Sequence, residues 1–476
     1  MKILMVTSES VPFAKTGGLA DAVPALAQSL KKLGHDVRIV MPRYYSIDPS
    51  SLTKFEKPMA VDTGSRKDMW CAVMQSVLPG TKVPVYFLDR QDLYGRNGIY
   101  GPDGSSSWSD NSMRYAFLAS GALRLCDYLN WSPDVFHLHD WQAAPAAWLL
   151  KGKGRSVLTI HNLGYQGIFR AEEKNILPSV NGQDVPLFMG KLNFLALGIM
   201  QADQVTTVSP TYAEEILTPQ FSENLGGILK EKKDRLTGIL NGMDYKTWNP
   251  ATDKALVPFN YDRNNLKNKA KLKRRLQIEA GLPEDTELPL FGIVSRLTGQ
   301  KGIDLLTNPD GAAFEPFRNN KARLVVLGTG EKKYENALKN LAEKYPDNCA
   351  VTLKFSNEYS HLIEAGSDFF LMPSRYEPCG LNQMYSLRYG TLPVVRKTGG
   401  LADTVTDLNS SPSTGNGFVF TNPDENDFGN AINRAVDFYN NPGKMKKAVK
   451  RAMKLRFDWK KSAKKYLEVY RKAAEG

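Results

Sequence analysis

Lys15-Thr-Gly-Gly-Leu-Ala-Asp21 and Lys397-Thr-Gly-Gly-Leu-Ala-Asp403 are the same seven residues, placed near opposite ends of a 476-residue chain. The first follows the apolar run Ile3-Leu-Met-Val6 and precedes apolar periodicity through Leu26 and Leu30. The second follows Leu392-Pro-Val-Val395 and precedes a short helical pattern. Strand, glycine turn and helix together present free backbone N–H groups at the positive end of a helix, where a phosphate can sit. A Gly-Gly pair has no side chain to bar that approach. Two such turns predict two α/β domains facing one anionic ligand across a cleft. A Thr-Gly-Gly turn is also an ordinary βα corner, so the chemistry has to be sought elsewhere.

Outward from the first copy, the runs Val37–Val40, Val83–Leu88, Val135–Leu138, Val157–Ile160 and Val205–Val208 read as strands. Helical patterns at 112–129 and 192–202 fit a largely parallel sheet with crossover helices. The Gly-, Ser- and Asp-rich stretch from Asp89 to Asp110 reads as a long functional loop. Asn241-Gly242, with the polar segment through Trp248-Asn-Pro250, marks a linker. Beyond it, a basic helix at about 264–279 leads to strands at Leu290–Val294, Arg323–Leu327, Val351–Leu353, Asp368–Met372 and Leu392–Val395. The expected domains are 1–245, 246–457 and a helix at 458–476 that returns to the first domain. The segments 241–250 and 455–460 would then be the hinge of a closure that excludes water from the reaction.

A length of 476 residues predicts two or three domains, and 42% hydrophobic with 24% charged residues fits a folded chain. No apolar run approaches the ~18 residues of a membrane span, and no leader pattern opens the chain. Four cysteines (71, 126, 349 and 379) lack CxxC spacing and the five histidines lack HExxH, so structural zinc and a disulfide framework are not expected. A cytoplasmic location fits. The net charge of +12 sits mostly in 443–476, where 13 Lys or Arg face three acids. Phe457, Trp459, Ala463, Tyr466, Leu467, Tyr470 and Ala474 follow near-helical spacing there, so the tail reads as a docked helix with a basic face in water. A nucleic-acid-binding protein is the competing class, resting on that charge alone.

Chemistry-bearing residues gather at strand ends, where α/β proteins hold ligands. Asp140 follows Val135-Phe-His-Leu-His139 and either accepts from ligand hydroxyls or caps the next helix. His161-Asn162 ends the following strand, and a neutral imidazole there can donate to a hydroxyl or hold the Gly-rich loop after it. Arg296 and Lys301, five apart after a strand, can grip one phosphate chain, the first in a bidentate way and the second as a point charge. In Pro373-Ser-Arg-Tyr-Glu377-Pro-Cys379-Gly380-Leu381 an acid lies at the sheet mouth, with the Gly380 and Leu381 amides beside it. Cys379 reads as packing, not as a nucleophile.

Lys15–Asp21, His137–Trp141, Thr159–Leu163, Asn241–Asp244, Ser295–Gly302, Ser360–Ile363, Pro373–Leu381 and Thr398–Asp403, in this order and spacing, resemble the bacterial glycogen synthase and plant starch synthase family over essentially the full length. The resemblance implies the α/β GT-B fold, two doubly wound Rossmann-like domains facing each other across a deep cleft. It implies transfer of glucose, usually from ADP-glucose in bacteria, to the nonreducing 4-OH of an α-1,4-glucan (glycogen or maltooligosaccharide) with retention. No cofactor or metal is implied, and self-association is left open. By position, Lys15 with Gly17 and Gly18 would face the diphosphate, which Arg296 and Lys301 would neutralise. Asp21 would lie near the phosphate or acceptor, and Asp140 and His161 near glucose, with Tyr94 and Asn162 as further candidates. Glu377 would sit under the glucose ring, and Cys379, Gly380 and Leu381 would line sugar and phosphate with Thr398, Gly399 and Gly400. Phe355 stands where relatives tend to place an aromatic ring against the base. Lys397 would not inherit the role of Lys15. UDP-glucose as donor, a trehalose- or sucrose-type transferase and a phosphorylase are the neighbouring alternatives.

Overall fold

A computed structural model describes residues 1–102, 106–284 and 287–475. The part of the expected 89–110 loop at 103–105, and the last residue of the expected tail, lie outside the described residues. The chain divides into two compact units, Met1–Gly242 with Trp459–Gly476, and Met243–Asp458.

The first unit is built on strands β1 (Lys2–Val6), β2 (Asp36–Pro42), β3 (Thr53–Lys54), β4 (Met59–Val61), β5 (Met69–Val77), β6 (Pro84–Asp89), β7 (Val135–His139), β8 (Ser156–Ile160), the small pair β9 (Ile168–Phe169) and β10 (Leu192–Asn193), then β11 (Gln204–Thr207) and β12 (Leu236–Gly238). The main sheet runs β12-β11-β8-β7-β1-β2-β6-β5-β3, with β4 on β5. It is parallel from β12 to β6. Its inner strands are covered on both faces, which is why they appear in sequence as unbroken apolar runs such as Ile3–Val6. The antiparallel edge β3–β5 was not foreseen: it holds one buried face only, and its residues alternate too weakly to stand out from the polar turns around them.

Helix boundaries shift modestly from expectation. Helix Asn111–Tyr128 replaces 112–129, and the 192–202 pattern splits into β10 and helix Phe194–Gln201, capped by the Asn193 side chain. Helix Leu19–Lys32 buries Leu19, Val23, Leu26 and Leu30 against the sheet. The last helix, Trp459–Glu475, belongs to this unit and joins its core through Trp459, Ala463, Tyr466, Leu467, Tyr470 and Ala473. Ala473, not Ala474, lies on the buried stripe, since the helical period places 466, 470 and 473 on one face. Lys460, Lys461, Lys464 and Lys465 are exposed.

The second unit has its own core and a six-stranded parallel sheet. Its strands are β13 (Leu290–Val294), β14 (Arg323–Leu327), β15 (Cys349–Thr352), β16 (Phe369–Met372), β17 (Leu392–Arg396) and β18 (Phe418–Phe420), in the order β15-β14-β13-β16-β17-β18. Phe291 stacks on Phe369 at 4.9 Å in that core. Helix Lys267–Ala280 ends at Gly281, whose φ of +74° is the left-handed stop that glycine permits. Among the described residues no helix is long and apolar enough to cross a membrane.

Candidate active site

In the first unit the sheet order reverses direction at β1, with β7 on one side and β2 on the other. Ligands of open α/β sheets bind outside the strand ends at such a switch point. The segments leaving β1, β7 and β8 carry the residues singled out from sequence, and one that was missed.

The missed residue is Glu9. Buried to 2% exposure, its carboxylate accepts from the Thr16 backbone N–H, the Thr16 hydroxyl at 2.7 Å, the Gly17 N–H at 3.2 Å and the Tyr100 hydroxyl. The anion expected on the first glycine turn is therefore already present as an internal carboxylate, and the Thr16 and Gly17 amides are not free. Gly17 and Gly18 are exposed, and Lys15 pairs with Asp21 at 2.7 Å. An ammonium has three donors, so that pairing leaves Lys15 able to meet a second anion. Nothing in the Thr-Ser-Glu-Ser context marks Glu9; only its spacing ahead of the turn could have drawn notice.

Asp140 opens the short helix Asp140–Ala143 as its first residue, so the capping alternative does not hold. Its φ of +56° places a non-glycine residue in the left-handed region, a strain that clusters at functional positions. The carboxylate reaches across to β8, accepting from the His161 N–H at 2.6 Å and the Asn162 N–H at 3.4 Å. Burial pushes its pKa from 3.8 up to about 7, against the pull of those two amides, with the Glu9 charge adding to the rise. Asn162 folds back to accept the Gly164 N–H at 3.0 Å.

Two buried imidazoles, His137 and His139, and a half-buried third, His161, form an array. His139 Nδ1 lies 3.0 Å from His161 Nε2, and the His137 and His139 rings are 4.0 Å apart. His139 Nε2 is buried without a partner. An under-satisfied acceptor costs less than an orphaned N–H, so the network assigns the shared proton to His139 Nδ1. His161 then accepts at Nε2 and carries its own proton on Nδ1. Desolvation lowers the His161 pKa to about 3, which makes it a neutral hydrogen-bond donor and not a general acid at pH 7.

Tyr94 lies in the core of the first unit. It is fully buried, donates to the Arg114 carbonyl at 2.6 Å and packs edge-on to Tyr44. Arg114 in turn ties the loop by donating to the Leu93 and Ile99 carbonyls at 2.7 and 2.8 Å.

In the second unit the switch lies at β13 and β16. Glu377 leaves β16 and is nearly buried. Its Oε2 accepts from Lys301 Nζ at 2.6 Å and from the Ser374 hydroxyl at 3.0 Å. Lys301 is partly exposed at 20%, so its remaining donors can reach an incoming anion. Arg296, just past β13, is exposed, and among the described residues its guanidinium has no hydrogen-bond or ion-pair partner. Gly380 adopts φ +69°, and Leu381 leads into helix Asn382–Tyr389. Cys379 is buried and in no disulfide. Phe355 follows β15 with its ring 89% exposed.

The second Thr-Gly-Gly copy does a different job from the first. Thr398, Gly399 and Gly400 are all buried, and the Gly400 N–H donates to the Glu377 carbonyl at 3.1 Å. A Cβ at Gly399 or Gly400 would stand 2.0 Å from the carbonyl oxygen of Glu377 or Cys379. These glycines let the 377–379 backbone pack tightly, and their placement does not offer the open phosphate seat expected of them.

Two doubly wound sheets, each with charged residues gathered at its switch point, are the architecture of GT-B glycosyltransferases. Residues 275–454 match the family described as Glycosyl transferases group 1, and residues 2–231 match Starch synthase catalytic domain. A glycogen synthase of Treponema denticola is 46% identical over 492 aligned residues, covering 100% of this chain and 99% of the relative. One of Geotalea daltonii is 43% identical, covering 99% and 98%. The catalytic domain of starch synthase IV from Arabidopsis thaliana, solved with ADP and acarbose, superposes with a TM-score of 0.89 at 30% identity, covering 100% of this chain and 99% of that one. A sucrose-phosphate synthase from Thermosynechococcus elongatus shares the fold at TM-score 0.62 and 18% identity, covering 99% and 98%. The chain belongs to the glycogen synthase family.

Proposed function

We propose that the protein transfers glucose from ADP-glucose to the nonreducing 4-OH of an α-1,4-glucan with retention of configuration. The observation that carries this is the Lys301–Glu377 pair, with the unpaired, exposed Arg296 five residues before Lys301 on the segment leaving β13: two cations for a diphosphate and, held against one of them, a carboxylate for a sugar. The first unit is assigned to the acceptor side and the second to the sugar nucleotide.

Arg296 and Lys301 neutralise charge on the departing diphosphate, and Lys15 is a further cation for it, which is the electrostatic stabilisation that speeds such a step. Glu377 faces the positive charge that develops on the glucose ring and does not form a covalent bond. Its engagement with Lys301 and Ser374 makes it a poor nucleophile. The leaving phosphate takes the acceptor proton on the same face. His161 donates through Nδ1–H to a glucose hydroxyl, Asp140 and Asn162 orient the strand-end loop around it, and Asp21 holds Lys15. Cys379, Gly380 and Leu381 wall the sugar and phosphate, and the Phe355 ring stacks on the base. A purine offers that ring a larger face than uracil does, which favours ADP-glucose; the starch synthase solved with ADP supports the same choice.

Incubation with glycogen and either ADP-glucose or UDP-glucose at matched concentration, with EDTA present, tests the reading. ADP release with chain lengthening is expected. A clear UDP-glucose preference refutes the donor assignment, and no glucosyl transfer from either donor refutes the reaction.

A further inference from the structure

Tyr470 lies on helix Trp459–Glu475, fully buried, with its hydroxyl 2.8 Å from His137 Nδ1. The other His137 nitrogen, Nε2, is 2.6 Å from the Thr159 hydroxyl. Thr159 is 2.6 Å from the Thr206 hydroxyl, which reaches the Leu158 carbonyl at 3.5 Å. A single direction satisfies every member. Tyr470 donates to Nδ1, Nε2–H donates to Thr159, Thr159 donates to Thr206, and Thr206 donates to Leu158. In the reverse direction the Tyr470 proton has no acceptor in a site closed to water, which is the costly arrangement.

His137 is thus pinned at both nitrogens, in one tautomer and one ring plane. His139 rests on that ring at 4.0 Å and, through Nδ1, holds His161 at 3.0 Å. The Tyr466 ring, one helical turn before Tyr470, lies 5.3 Å from His137. We infer that Tyr470 is a positioning residue for His161: the C-terminal helix fixes His137, His137 supports His139, and His139 sets the plane and tautomer in which His161 meets substrate. The inference rests on the proposed contact of His161 with the sugar.

The test is Tyr470→Phe, which removes one oxygen and keeps the ring. Thr159→Val, which frees the opposite nitrogen, is the second variant should the first fail to fold. Lys465→Ala, on the exposed face of the same helix, is the control. In full-length protein carrying 15N-histidine, long-range proton–nitrogen spectra read the tautomer of each of the five imidazoles. Tyr470→Phe should shift the His137 Nδ1 nitrogen signal, which loses its donor, while Nε2 keeps its proton toward Thr159, since an orphaned N–H costs more than an unfilled acceptor. It should also lower kcat about fivefold, the worth of one net hydrogen bond, with KM for donor and glucan within about twofold of wild type on the same reasoning. Unchanged His137 signals, an unchanged kcat in the folded variant, or an equal fall in Lys465→Ala would each overturn the inference. Absence of transfer by the wild type would instead refute the proposed function, leaving the spectra to decide whether Tyr470 fixes His137.

Discussion

Replacing Asp140 by Asn should stabilise the first unit, and the gain should depend on pH in a defined way. Asparagine tolerates the left-handed backbone at this position, and its Oδ1 can accept the same His161 and Asn162 amides. The substitution therefore removes a charge and little else. The Asp140 pKa is raised from 3.8 to about 7 by burial. An acid whose folded pKa is raised holds its proton in the native state while the unfolded chain has lost it. Wild-type stability then falls as pH rises from about 4 to about 7, and is flat above that. The variant lacks this loss. At ~1.4 kcal/mol per unit, its advantage grows from about zero near pH 4 to ~1.6 kcal/mol at pH 5 and ~4 kcal/mol at pH 8, an order-of-magnitude ceiling. Chemical denaturation followed by signals from the first unit, at pH 5, 6.5 and 8, measures it, with glucosyl transfer assayed alongside. A variant less stable than wild type at pH 8, or an advantage that does not change with pH, would refute the reasoning that Asp140 is held against ionisation.

Glu377→Gln should lower kcat by about 100- to 1,000-fold, the ~3–4 kcal/mol typical of one transition-state electrostatic contact, with an unchanged far-UV spectrum; a trapped glucosyl–Glu377 adduct in the wild type would overturn its assigned role. Gly17→Ala should cost under ~1 kcal/mol, since nothing lies within 4 Å of the added carbon, whereas Gly400→Ala should cost several times as much; equal melting temperatures for the two would contradict the different packing of the turns. Phe355→Ala should leave the melting temperature unchanged, because an 89% exposed ring buries little, yet raise KM for ADP-glucose about fivefold or more, in line with ~1 kcal/mol or more of lost stacking; an unchanged KM would remove Phe355 from the base site.

The parallel strands were legible because burial on both faces writes them as apolar runs, and the segments after β1, β7, β8, β13 and β16 were legible because polar residues interrupt those runs at the strand ends. The edge strands β3–β5 were not, since one solvated face dilutes the signal. Glu9 was invisible for another reason. Its four donors come from Thr16, Gly17 and Tyr100, and the last is 91 residues away, so its role exists only once the loop has folded back. The burial of Tyr94 was equally hidden: Arg114 gathers the loop carbonyls, and the Tyr94 hydroxyl donates to the Arg114 carbonyl from within the core.

The repeated heptad shows most directly why local sequence does not carry function by itself. In the first copy the glycines are open and the charge around them is already balanced: Glu9 occupies the turn amides and Asp21 holds Lys15. In the second copy the same glycines are buried under the 377–379 backbone, and Lys397 is exposed with its N–H spent on the Phe420 carbonyl. What the second copy contributes is the shape of its neighbour. By accepting the Gly400 N–H, the Glu377 carbonyl is locked, and the carboxylate of that residue is delivered to Lys301. One turn lies open beside the Lys15–Asp21 pair, and the other is packed under the loop that carries Glu377. The difference follows from what packs on each.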